Sequence, residues 1–266
     1  DVRRDISCVS WKWVLGPDGK NIPQLAGPND WYFGKFRLEW QIKAPYNGGN
    51  DDGIKPVYMR YADILLMAAE IANDPACGER DEAFAKKCLL EVRKRAYKGN
   101  EAVAETYVNG ISGQTAVFNA IVDERALEFV GEMLRKQDLI RWNLLKTKID
   151  EAKADLKDWM DGAGTQFGPA VWYKYAADGS IQTYGYNETA TTSEAPGEGW
   201  ECYTDSKGAV ATYFKFTSED TGAYSDSAQK KLDSFYDNNP DTRQWWPIPD
   251  ATLINSQGTL VNDYGF

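Results

Sequence analysis

Between residues 124 and 142 the chain places charges of both signs at helical intervals. Glu124, Glu128 and Glu132 recur at every fourth position, Arg135 follows three further on, and Asp138 and Arg141 continue the series at threes. Side chains at these spacings project from one side of an α-helix. Phe118, Ile121, Val122, Phe129, Val130, Met133 and Leu134 fill much of the remaining circumference. A helix that is apolar around most of its girth is covered on most sides, so its charges must pair with one another or with neighbouring elements. The pattern is read as one helix from about Gln114 to Leu134, then a short one around Gln137–Trp142.

Three carboxylates on one face serve either as metal ligands or an acid/base pair, or as the rungs of a structural ion-pair ladder between packed helices. Carboxylate metal sites in helical bundles take Glu-x-x-His partners, and the 266 residues include no histidine. The same absence removes Ser-His-Asp and Cys-His catalysis, His-ligated zinc and H-E-x-x-H peptidase chemistry from this chain. Glycoside hydrolysis by two carboxylates survives. With 40 acidic residues, however, finding pairs decides nothing.

At 42% hydrophobic the chain can bury a sizeable core, as one large domain or two small ones. A net charge of −10 argues against nucleic acid or an anionic membrane as partner, because phosphate binding needs a concentrated positive field. Neutral ligands fit better. No apolar run is long enough to span a bilayer, and Asp1-Val2-Arg3-Arg4-Asp5 resembles neither a secretory h-region nor a transit peptide. Cys8, Cys77, Cys88 and Cys202 are scattered without a C-x-x-C pair, which leaves disulfide pairing and compartment open. Cys88 shares an apolar helical face with Phe84, Leu89 and Val92, the setting of a buried free thiol.

Four regions are expected. Residues 1–56 are a loop-rich opening, with turns at Gly16-Pro17-Asp18-Gly19 and Asn47–Gly53 and a short strand within Phe33–Lys43. Residues 57–160 form a helical core: Val57–Asn73, apolar apart from Arg60, Asp63 and Glu70, ends at Asp74-Pro75, and amphipathic Asp81–Ala96 completes a hairpin. Leu144–Met160 keeps the helical period through Leu145, Ile149, Ala152, Leu156 and Trp159. Such pairs stack in the manner of tetratricopeptide repeats, although no 34-residue repeat is visible. Residues 161–235 are a β-rich excursion, with strands expected at Ala170–Tyr175, Ile181–Tyr186 and Val210–Phe216. Sixteen of the 35 aromatic residues lie between Phe167 and Trp246, so rings either pack this excursion onto the helices or stand exposed to stack on sugar faces. Residues 236–266 form a C-terminal segment.

Four motifs in order resemble the SusD/RagB family. They are Met59-Arg60-Tyr61-Ala62-Asp63-Ile64-Leu65-Leu66-Met67-Ala68-Ala69-Glu70, then Val92-Arg93-Lys94-Arg95-Ala96, then Glu124-Arg125 through Glu128-Phe129, Glu132, Arg135, Asp138-Leu139 and Arg141-Trp142, and finally Trp246-Pro247-Ile248-Pro249 with Leu260 and Gly265-Phe266. Asn262, Asp263, Tyr264 and Phe266 depart from the family's usual Gln, Asn, Pro and Tyr. The resemblance implies a mainly α fold, a tetratricopeptide-like helical superhelix with long irregular loops and a small β-rich excursion. It also implies a non-enzymatic, cofactor-free protein that binds glycan or oligosaccharide at the bacterial outer-membrane surface and hands it to a SusC-like TonB-dependent transporter. Relatives of about twice this length make the chain look like a C-terminal half, with the lipid anchor upstream of it.

Under that resemblance Arg60, Asp63, Glu70, Arg93, Glu124, Arg125, Glu128, Glu132, Arg135, Asp138, Arg141 and Trp142 are architectural. Glu70 is expected to pair with Arg93 or Arg95 across the hairpin. A ladder is expected among Glu128, Glu132, Arg135 and Arg141, with Trp142 as a packing anchor. No binding residue carries over from the motifs. From chemistry alone, rings flanked by amides or carboxylates suit a sugar, which nominates Trp11, Trp13 and Trp31 in the opening and Trp172, Tyr173, Tyr184 and Trp200 in the excursion. Asp51 and Asp52 lack the spacing of an EF-hand calcium loop. Peptide capture by the same scaffold, a two-carboxylate glycosidase and a purely structural partner of the transporter are the alternatives.

Overall fold

The structure is a computed structural model that describes residues 1–17, 21–26, 31–36, 55, 57–160, 172–176, 181–184, 195–202 and 224–262. In chain order its elements are α1 (Arg3–Ser7), β1 (Cys8–Val9), β2 (Trp11–Leu15), β3 (Asn21–Leu25), β4 (Tyr32–Phe33), α2 (Tyr61–Asn73), α3 (Glu82–Ala96), α4 (Glu101–Gly110), α5 (Gln114–Glu128), α6 (Arg135–Arg141), α7 (Leu145–Met160), β5 (Trp172–Tyr175), β6 (Ile181–Tyr184), β7 (Glu201–Cys202), α8 (Asp226–Asp233) and α9 (Asp250–Asn255). The fold is mainly α. The chain divides into two compact units, one of Asp1–Ser10 with Trp31–Arg135 and one of Trp11–Asp30 with Lys136–Phe266.

The first unit is built on the α2–α3 hairpin. Asp74 begins a short 3-10 turn through Pro75–Cys77, its carboxylate accepting from the Ala76 amide at 2.9 Å. Asp81 then caps α3 by accepting from the Phe84 amide, while its own amide donates to the Ala72 carbonyl at 2.8 Å and closes the hairpin. Leu66, Leu89, Val92, Val108, Ala120 and Phe129 form one buried cluster, and Ala69, Ala85, Cys88, Val117 and Ile121 another. Leu65 and Ile111 pack against both. Each fully buried leucine among them contributes roughly 1.5–3 kcal/mol relative to exposure. Cys88 is buried and free, and Cys8 and Cys77 are free as well.

Helices α4 and α1 were not anticipated. Only Ala104 and Val108 of α4 are buried, too thin an apolar stripe to register as periodic. Helix α1 is a single turn whose leading Val2 amide donates to the Ala96 carbonyl at 2.9 Å. Strand β1 pairs antiparallel with β4, Cys8 opposite Phe33. The strand expected within Phe33–Lys43 meets β4 only at Phe33: Gly34–Phe36 are not strand, and residues 37–43 lie outside the described residues.

Helix α5 stops six residues short of the expected Leu134. Phe129 caps it, and the chain then turns through Gly131 at φ 79° and Met133 at φ 60° before α6 begins. Glycine adopts that region without penalty. A Cβ on Gly131 would also meet the Phe33 ring at 3.0 Å, so the turn needs a hydrogen there. Met133, expected to cover the helix, is 89% exposed, and Phe84, expected inward, is largely exposed too.

In the second unit β2 and β3 form an antiparallel hairpin, Trp11 opposite Leu25, around the predicted Gly16-Pro17 turn. Both strands went unnoticed because their alternation is only partly apolar. Strands β6, β5 and β7 form an antiparallel sheet in that order, with Trp172 opposite both Tyr184 and Cys202. These confirm the described parts of the first two expected strands. Val210–Phe216 lies outside the described residues, as do Asp51 and Asp52. Helix α7 buries Leu145 and Met160 but leaves Ala152 exposed, and Met160 packs with Ala228 and Leu232 of the unanticipated α8. At the end of the chain the Asn262 side chain accepts from the Ile248 amide at 2.7 Å and donates to the Ile248 carbonyl at 3.1 Å. The departure from the usual glutamine therefore still closes the Trp246-Pro247-Ile248-Pro249 motif.

Candidate functional site

In the first unit the charged motifs converge on the C-terminal half of α5. Glu124 receives Arg93 at 2.5 Å and Arg3 at 2.7 Å. Glu128 receives Arg60 at 2.5 Å, Arg3 at 3.1 Å, and Arg95. Glu132, delivered by the turn and not by the helix, receives Arg60 through Nε and Nη2 at 2.8 and 2.9 Å and Lys35 at 2.5 Å. The last backbone carbonyl of α5, on Glu128, accepts from Arg60 and Lys35, so cations cap the negative end of the helix dipole. Beside this knot Arg125 binds Asp63 of α2 at 2.7 Å, and the guanidiniums of Arg60 and Arg125 lie 4.5 and 4.8 Å from the Phe129 ring. Arg93 lies 3.9 Å from the Tyr107 ring.

Two expectations are corrected. Arg93 and Arg95 reach Glu124 and Glu128, not Glu70, because α5 lies against α3 and presents its carboxylates to that helix's last turn. The four-residue ladder is also broken up: Arg135 donates to the Val122 carbonyl at 2.9 Å, and Arg141 bonds Asp138 three residues before it at 2.9 Å while lying over the Trp142 ring at 4.3 Å. The end of α5 at Glu128 disrupts the spacing that a continuous helix would have kept. Arg3 and Lys35 were missed entirely. They arrive from the loop-rich opening, 121 and 97 residues from their carboxylates, with no periodic signal to mark them.

The electrostatics of the knot are those of a clamp. Burial pushes the Glu128 carboxyl up, but hydrogen bonds from Arg95 and Arg60 outweigh it and hold the group below its ordinary range. Burial acts likewise on Glu132, and Arg60 and Lys35 overcome it. Carboxylates held ionised and saturated by guanidinium donors do not serve as general acids. No group of residues suited to hold a metal ion occurs among the described residues.

The nominated aromatic residues fall into separate places. Trp11 and Trp13 of β2 contact each other edge to face at 5.4 Å, and Trp11 is only 9% exposed, so it packs and does not present a face. Trp31 belongs to the first unit and is 41% exposed. Trp172 and Tyr173 of β5 are half-buried on opposite faces of the three-stranded sheet. Tyr173 donates from its hydroxyl to Glu201 at 2.8 Å and meets the Tyr175 ring at 6.0 Å. Trp200 carries the Lys174 ammonium 4.8 Å above its ring, a partner that sequence did not suggest. Tyr184 lies in β6 opposite Trp172, with its side chain outside the described residues. The Trp172 indole N–H is buried without a hydrogen-bond partner among the described residues.

The sequence has its counterpart in a known family. Residues 11–266 match the sequence profile of the SusD family. The chain belongs to the SusD family. It is similar to SusD-like protein P25 of Formosa agariphila, 37% identical over 95 residues that make up 36% of this chain and 16% of that protein. It is also similar to SusD-like protein P2 of the same organism, 30% identical over 98 residues, 37% of this chain and 19% of that protein. The aligned stretches span less than a fifth of these SusD-like relatives. No solved structure matches the chain.

Proposed function

We propose that this SusD-family chain is the non-catalytic part of a surface receptor that captures glycan or oligosaccharide at the bacterial outer membrane and delivers it to a SusC-like TonB-dependent transporter. Family membership over residues 11–266 is the observation that carries the reading. The aromatic sheet supports it. On the β5 face that carries Trp172, the Lys174 ammonium lies over the Trp200 ring, and on the other face Tyr173 bonds Glu201, so each side of the small sheet offers rings beside a polar group of the kind that stacks on a sugar and bonds its hydroxyls. The same reading includes a lipid anchor and exposure at the cell surface. The glycosidase alternative loses ground because the most buried carboxylates, Glu124 and Glu128, are clamped by arginines. Peptide capture by the same scaffold is the second reading.

Native affinity electrophoresis across soluble polysaccharides, with a peptide digest as competitor, tests the proposal. Retardation by a polysaccharide, reduced in Trp172→Ala and Trp200→Ala variants, is the expected result. Retardation that both variants retain moves the site away from the sheet. No retardation by any polysaccharide, together with capture of the digest, replaces glycan by peptide.

A further inference from the structure

The first unit holds a cavity of about 590 Å³ beside the arginine knot. One part of its wall is apolar, from Val2, Ile6, Phe36, Val57 and Ala96. Among the described residues the other part carries five cations, Arg3, Lys35, Arg60, Arg95 and Lys98, against two carboxylates, Glu128 and Glu132, with Arg3 paired to Asp1 and Glu124 as well. That local excess of positive charge sits in a chain whose net charge is −10. Both carboxylates are already spent: Glu128 accepts on its two oxygens from Arg60, Arg95 and Arg3, and Glu132 from Arg60 and Lys35.

What is left over is donor capacity. Ser7, which lines the cavity, is 3% exposed, and its hydroxyl has no hydrogen-bond partner among the described residues. The Ser7 carbonyl is engaged by the Gly34 amide at 2.9 Å while the hydroxyl stays unmatched, and a buried unmatched hydroxyl is costly. Lys98 is exposed and forms no ion pair among the described residues, and Arg95 spends one bond on Glu128 with its side chain 60% exposed.

We infer that this cavity is a second binding site, separate from the aromatic sheet, for a small amphipathic carboxylate. The apolar wall takes an aliphatic or aromatic body, and Lys98 and Arg95 bond the anion. A cavity of this volume holds a ligand of small-molecule size. Charge without an apolar body leaves that wall wetted, and an apolar body without charge leaves the donors unmatched.

Calorimetric titration of the purified protein with hydrocinnamate, hydrocinnamyl alcohol and glucuronate separates these requirements. Hydrocinnamate is expected to bind about tenfold or more tighter than either of the others. Lys98→Gln is expected to weaken it several-fold, while Ser7→Ala, which removes an unmatched buried hydroxyl, is expected to keep or raise the melting temperature and leave binding in place. Val57→Asp, at a half-exposed wall position, sets an anion in the cavity and abolishes binding without touching the knot. The inference is overturned if the alcohol binds as tightly as the acid, if glucuronate equals hydrocinnamate, if hydrocinnamate does not bind, or if Val57→Asp leaves binding intact. None of these outcomes bears on polysaccharide retardation, so the two proposals fail separately.

Discussion

The two units use charge in opposite ways. In the first, Glu124 and Glu128 are almost wholly buried and gather arginines from α1, from α3 and from the residue before α2, so the ion pairs join segments far apart in sequence. In the second, the charge pairs among the described residues join positions three or four apart and, except at the buried Asp138 that Arg141 answers, they are wet. Lys146 pairs with Asp150 one turn on, Lys148 with Glu151, and Tyr236 donates to Asp150 at 2.6 Å, all on partly exposed side chains. A buried pair that loses one member strands the other in low dielectric, whereas an exposed pair returns its members to water. The same residue types are thus architecture in one unit and surface decoration in the other.

The sharpest way to break this contrast is Glu128→Gln, which leaves Arg3, Arg60 and Arg95 facing a neutral amide. A loss on the order of 3–5 kcal/mol is expected in urea denaturation, and a loss below about 1 kcal/mol would falsify the account of the knot. Acid provides a second probe. Glu128 and Glu132 have folded-state pKa values below their ordinary ones, so the stability they supply is present above about pH 4.3 and drains as pH falls through the lowered values. The parent protein should lose stability over that acid range, and Glu128→Gln should show a flatter profile across it.

Smaller effects sharpen the picture. Gly131→Ala forces a side chain into φ 79° and against the Phe33 ring, for which we expect a loss of about 1–2 kcal/mol. Unchanged stability there would mean that the turn delivering Glu132 is pliant. Asn262→Ala removes both bonds to Ile248 and is expected to cost roughly 1–2 kcal/mol in the second unit. Asp150→Asn should leave the denaturation midpoint within replicate scatter, since the pairs it breaks are solvated. A clear drop would show that the wet charges of the second unit also bear structure.

The helices α2, α3, α5 and α7 were legible because each buries a stripe wide enough to impose a 3.6-residue period on its own residues. The end of α5 was not legible. Its charges keep helical spacing past Glu128, and only the left-handed turn through Gly131 and Met133 separates them, a conformation that spacing does not encode. The β2–β3 hairpin was missed although its Gly16-Pro17 turn was recognised, because its strands alternate too weakly to be told from a loop. Of the nominated rings, Trp172 and Tyr173 share one strand and Trp200 adjoins its partner strand, while Trp11 packs inward. Side-chain direction depends on what covers each face.

By itself the sequence determined the exclusion of histidine chemistry, the mainly α character, the family and the need for buried carboxylates to find cations. Those properties reside in residue identity and short-range period. Only the tertiary structure decided which cations answer, bringing Arg3 and Lys35 across 121 and 97 residues to Glu124 and Glu132 and turning Arg93 and Arg95 away from Glu70. Electrostatic pairing acts over a few ångströms of space and is indifferent to distance along the chain, so the partners became definite only once α1, α3 and the turn after α5 had packed.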